Sequence, residues 1–226
     1  VSARRPLWEA LAVYAGVSLG VALLPWLVGG VFSGYLGTLA GALYLAVPLV
    51  VCRFASLEPN VYAPLDFPTA RAVLGVLLLA LVLFPPFYVA GQWLGLVAPK
   101  AGLALPSVAR DSAGLVSWVL STLLVVALPE ELFFRGYLQR RLDDAFLGRV
   151  KIAGVEVGHG LFIGAALFAL AHMLTVRSAF RLFTFFPGLV FGWLRLRTNG
   201  IGAGALFHAL CNLYIDALSA GAPRQD

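Results

Sequence analysis

The chain has 226 residues, 61% hydrophobic and only 12% charged, with a net charge of +5 and a mean hydropathy of +0.91. Soluble domains carry about 25% charged residues, so the composition argues against a soluble enzyme and for a polytopic membrane protein. Most basic residues sit at the ends of apolar runs and not along one continuous face, which speaks against nucleic-acid binding.

A span needs roughly 20 mostly apolar residues. Seven stretches meet that rule: 7–28, 35–52, 72–97, 113–138, 159–175, 180–196 and 201–218, with a break expected in the third at Pro85-Pro86. The apolar run after Arg4-Arg5 is too long for a signal peptide and lacks a small-residue cleavage site, so it is expected to be a first membrane anchor. An eighth helix could lie within 98–110 or 141–157. The second of these mixes Asp143, Asp144, Arg149, Lys151 and Glu156 with Phe146, Leu147 and Ile152, and reads as an interfacial loop or a short amphipathic helix. The expected fold is an all-α, polytopic transmembrane bundle of seven to eight spans, a single membrane domain over 1–226.

With the N-terminus inside, ten basic residues flank the inner ends and five the outer ends, which sets that orientation. The excess of Arg over Lys, 14 to 2, and the abundance of Ala, Gly, Leu and Val fit a GC-rich genome, and a bacterial cytoplasmic membrane is expected. Cys52 and Cys211 both fall in spans, and without a C-x-x-C string they suggest neither a disulfide framework nor a Cys-bound zinc. Gly160-x-x-x-Gly164, Gly188-x-x-x-Gly192 and Gly200-x-x-x-Gly204 lie in the last three spans, where small residues let helix backbones approach.

Three patches place ionisable groups at membrane depth: Glu130-Glu131-x-x-x-Arg135, Phe168-x-x-x-His172 and His208-x-x-x-Asn212. Such groups are costly in a bilayer and normally face the protein interior or a wet cavity. From the inner ends of their spans, a rise of ~1.5 Å per residue puts Glu130 ~15 Å, His172 ~18 Å and His208 ~12 Å deep, which is compatible with one site. Residues four apart share a helix face. Glu131 can therefore pair with Arg135, Asn212 points with His208, and Phe168 stacks next to His172. Glu130, turned about 100° from Glu131, is left to look into a cavity as a general base.

Taken singly, each feature has a plainer explanation: Glu131–Arg135 as a structural ion pair, either histidine as an interhelical hydrogen bond. The whole set at one depth favours an active site, with a proton-coupled carrier or a non-enzymatic scaffold or immunity protein as the competing reading. Gly16-Val-Ser18-Leu-Gly20 matches the serine-nucleophile string but lies inside the first span, without the strand–turn–helix setting that string needs. Asp216 has no evident intramembrane Asp partner, and His159 falls at a span end.

The ordered triple motif, with Glu130-Glu131-Leu-Phe-Phe-Arg135-Gly136 its most typical stretch, resembles the CPBP family over 115–218. That family comprises type II CAAX prenyl proteases and the bacteriocin-processing or immunity (Abi) membrane proteases. The resemblance implies a catalytic core at 113–218 behind peripheral N-terminal spans at 1–112. It also implies intramembrane proteolysis of a membrane-anchored or hydrophobic-tailed protein or peptide. Carried over, Glu130 activates water with help from His172, His208 and Asn212 stabilise the oxyanion, and Glu131, Arg135 and Phe168 support the site. A metal-free glutamate mechanism is the expectation, since no His-Glu-x-x-His string occurs. Zinc on Glu130, His172 and His208 stays open as the alternative.

Overall fold

The computed structural model describes residues 4–28, 30–54, 67–93, 104–146 and 148–220. Each of the seven expected spans coincides with a helix. They are α1 (Arg4–Leu27), α2 (Leu36–Phe54), α3 (Phe67–Trp93), α4 (Ser112–Ala145), α5 (His159–Val176), α6 (Phe185–Thr198) and α7 (Gly202–Ala220). Short 3₁₀ segments, Gly30–Tyr35 and Ala179–Thr184, lead into α2 and α6. Five stretches among the described residues are long and apolar enough to cross a membrane: Arg5–Leu27, Phe32–Phe54, Ser112–Ala145, His159–Val176 and Ala179–Thr198. The protein is an all-α, integral membrane bundle. Large apolar side chains such as Trp8, Leu19, Leu74, Leu78, Val82 and Leu120 are exposed on its outside, where lipid tails and not water would meet them.

Two local expectations are corrected. α3 runs through Pro85-Pro86 without a break, as transmembrane helices can when neighbouring groups satisfy the freed carbonyls. The stretch 141–157 is neither a loop nor an amphipathic helix. α4 continues to Ala145, and an antiparallel hairpin follows, β1 (Arg149–Ile152) with β2 (Val155–Gly158). Its two-residue turn, Ala153-Gly154, has φ of 47° and 80°, the positive values that match the twist of a tight hairpin. Of the stretch 98–110, only the part from 104 lies within the described residues, and it holds a single turn, Ser107–Ala109.

Between helices in lipid there is little hydrophobic gain, so association rests on close packing and interhelical hydrogen bonds. Both are present. A Cβ on Gly188 would lie 3.3 Å from Ala165 and Phe168, and one on Gly192 would collide with Leu161 and come within 2.7 Å of Gln139 Oε1. The missing side chains let α6 lie against α4 and α5. At the far end of α4, Gly160 N donates to Asp143 Oδ1 at 3.0 Å, so a buried carboxylate caps the start of α5. α1 joins through Tyr14, whose hydroxyl donates to the Leu167 carbonyl at 2.9 Å. It joins again through Glu9, which accepts a two-pronged bond from Arg141 at 3.0 and 2.9 Å and a third from Tyr137 at 3.2 Å.

Filling the tightest crossing should therefore weaken the bundle. Gly192→Val is expected to cost about 1–3 kcal/mol, the usual penalty of overpacking, measured by denaturant unfolding in detergent micelles. Gly16→Ala, where a Cβ meets nothing within 4 Å, should be neutral or slightly stabilising.

Candidate active site

Both acidic residues lie on α4, whose hydrogen-bond ladder is irregular where they sit. It is π-helical over Thr122–Ala127 and again over Leu132–Gln139, with one α-helical turn, Leu128–Glu131, between. Pro129 has no N–H to contribute, which interrupts the regular ladder at this turn. π-helical turns are rare and concentrate at functional sites.

Glu131 is the buried anchor. Its side chain has 0% exposure, and its Oε1 accepts from Arg135 Nη1 at 2.8 Å and from His208 Nδ1 at 3.0 Å. The Arg135 guanidinium reaches on to the Gly188 carbonyl at 3.3 Å and lies over the rings of Phe168 and Phe191, 4.2 and 5.0 Å from their centroids. A cation over aromatic faces gains from their negative quadrupole, more so when desolvated. Phe191 also stacks on His208, with centroids 4.7 Å apart and planes 14° from parallel.

Glu130 faces the other way and is more accessible, with its side chain 14% exposed. Its Oε2 lies 3.7 Å from His172 Nε2 and 3.8 Å from His208 Nε2, and has no hydrogen-bond partner among the described residues. Both separations exceed a direct hydrogen bond. The tautomers follow from the opposite ring nitrogens. His172 Nδ1 lies 3.0 Å from the Phe168 carbonyl, which can only accept, so this nitrogen carries a proton. His208 Nδ1 donates to a carboxylate already held by arginine. In each neutral ring the Nε2 lone pair therefore points at Glu130.

The structure thus brings together Glu130, Glu131, Arg135, Phe168, His172 and His208, with Phe168 4.2 Å from the His172 ring and Phe134 edge-on to Phe168. Asn212 is half-buried one turn beyond His208 on α7, and among the described residues its side chain makes no hydrogen bond. Three contacts were not foreseen from spacing: the Glu131–His208 bond, the stacking of Phe191 on His208, and the fit of Gly204. A Cβ at Gly204 would lie 2.9 Å from Glu131 Oε2. The glycine spacing at 188/192 and 200/204 is the signal that points to these helices. His159 packs on Phe146 away from the cluster, Asp216 accepts from Trp118, and Ser18 is buried in α1.

Glu130, His172 and His208 are of the residue types that hold zinc. Two ligands on a tetrahedral ion at ~2.1 Å stand ~3.4 Å apart, closer than the 3.7 and 3.8 Å found here. Among the described residues no three His, Cys, Asp or Glu side chains group so as to hold an ion. The residues as placed do not fit one.

Residues 112–214 match the family described as type II CAAX prenyl endopeptidase Rce1-like. The matched segment runs from the start of α4 into α7 of the membrane bundle, and it is similar to that family and to the wider CPBP group its motifs resemble. No curated protein and no solved structure matches the chain.

Removing one partner of a buried ion pair strands the other charge. Arg135→Met should cost about 3–5 kcal/mol, read as a lower unfolding midpoint in detergent. Adding Glu131→Gln to it should restore part of that loss.

Proposed function

We propose that the chain is an intramembrane endopeptidase whose general base is Glu130, acting on water without a metal. The observation that carries this reading is the placement of one buried, unpartnered carboxylate oxygen 3.7 and 3.8 Å from two imidazole nitrogens. A single water oxygen at about 2.8 Å from each group spans such gaps. Glu130 takes a proton from that water as it attacks the scissile carbonyl, then returns it to the leaving amine. His172, its Nδ1 proton engaged by the Phe168 carbonyl, offers Nε2 as a second acceptor for the water.

His208 and Asn212 stabilise the oxyanion. Since His208 Nδ1 donates to Glu131, its Nε2 can donate to an oxyanion only when the ring carries both protons. Glu131, paired with Arg135 at 2.8 Å, is the carboxylate that faces that ring. Donors fixed in advance in a low-dielectric site act where charge appears in the transition state. The proposed substrate is a membrane-anchored or hydrophobic-tailed protein or peptide. The proposed setting is a bacterial cytoplasmic membrane, with the basic helix ends and the N-terminus inside.

Glu130→Gln is nearly isosteric but cannot serve as a base. It should insert and fold like the parent yet lose at least ~10²–10⁴-fold in cleavage, measured on a fluorogenic peptide with a hydrophobic tail in proteoliposomes. Full cleavage by this variant would refute the assignment, and substrate flux without peptide product would favour the carrier reading. Asn212→Ala should lower kcat by roughly 10²–10³-fold with little change in KM. Stoichiometric zinc in the purified protein, with activity lost to chelator and restored by the ion, would overturn the metal-free scheme.

A further inference from the structure

At the end of the bundle where the arginines collect, α3 and α6 leave a cleft of ≈ 290 Å³ whose walls include Arg71, Gly75, Val76, Trp193 and Arg197. None of these residues belongs to the carboxylate–histidine cluster. We propose that the cleft binds one anionic phospholipid, its phosphodiester held by Arg71 and Arg197 and an acyl chain laid along α3.

Among the described residues neither arginine has a carboxylate partner, and both line the same opening. That arrangement suits a phosphate, which accepts several N–H donors at once. Basic pockets between membrane helices are a recurrent setting for acidic headgroups. The shape of α3 argues for a tail as well as a head. Positions 71, 75, 78 and 82 recur at helical spacing and share one face. Leu78 and Val82 on that face are exposed and apolar. Gly75, between the charge and the apolar stripe, is open: a Cβ there would meet nothing within 4 Å. An amphiphile with its charge at Arg71 finds a bare groove and then a greasy track. A free phosphate ion would use only the first of these. Trp193 braces the opposite wall, its indole N–H fixed to the Ile152 carbonyl of β1 at 3.2 Å.

The test uses the full chain, delipidated in detergent, with phosphatidylglycerol, phosphatidylcholine and inorganic phosphate as separate probes, followed by native mass spectrometry. One phosphatidylglycerol should be retained in preference to phosphatidylcholine. The pair Arg71→Gln/Arg197→Gln should weaken that binding roughly 30-fold, two basic groups each worth about five-fold. Gly75→Leu keeps both charges, improves helix propensity and fills the groove, and it should abolish retention while the protein stays folded. If the double variant fails to fold, this second one decides. Equal retention of the two lipids, or undiminished phosphatidylglycerol binding in Gly75→Leu, overturns the proposal. So does inorganic phosphate binding as tightly as the lipid, which would leave an ion site with no lipid specificity.

Discussion

A carboxylate with no access to solvent is the constraint around which this bundle is organised. Withdrawing such a group from water costs several kcal/mol even after relaxation, and Glu131 recovers that only because Arg135 and His208 both reach the same oxygen. The demand spreads outward. His208 brings α7 to α4, and Arg135 draws in the Gly188 carbonyl and the ring of Phe191 from α6. Phe168 supplies a further aromatic face from α5. Close approach then requires bare backbone, which Gly188 and Gly204 provide. The charge network and the small-residue spacing are two aspects of one requirement, because distances set by the hydrogen bonds leave no room for side chains at those crossings.

The segment with the family signature starts at residue 112, yet its central helix leans on what precedes it. Tyr44 of α2 packs its ring 5.4 Å from Phe133 and 5.5 Å from Phe134, just beyond the acidic pair. Glu9 of α1 grips Arg141 near the other end of α4. A helix with two π-helical segments has fewer ideal backbone bonds to hold its path, and these outside contacts hold it within the second segment and just beyond it. The accessible carboxylate can then hold its position against two imidazoles that reside on other helices.

Much of this was legible beforehand. Hydrophobic run length located every helix, with the end of α4 seven residues beyond its expected position, because a bilayer leaves the backbone almost no alternative to hydrogen-bonding within its own helix. Spacing of four foretold Glu131–Arg135 and the neighbourhood of Phe168 and His172. Spacing could not foretell that Glu131 also receives His208, since that contact joins residues 77 apart in sequence and depends on the rotation of α4 relative to α7. The hairpin is hard to read in the sequence because its charged residues, Arg149, Lys151 and Glu156, mask an alternation that is present. Val155 and Val157 point inward while Glu156 points out, and Ala153-Gly154 makes the turn.

The extra residue in each widened turn of α4 has a consequence for how this helix tolerates change. Each residue of an ordinary helix advances the azimuth by about 100°, so dropping one position anywhere between 122 and 127 could relax the ladder to ordinary pitch while leaving the greasy composition intact. The two halves would then keep their faces, because the widened turn already absorbs the surplus position, whereas the same deletion in an ordinary α-helical stretch would swing the upstream half by about 100°. The widened turns thus act as slack for single-residue deletions, and aligning sequences through this helix without gaps would compare side chains that face different ways.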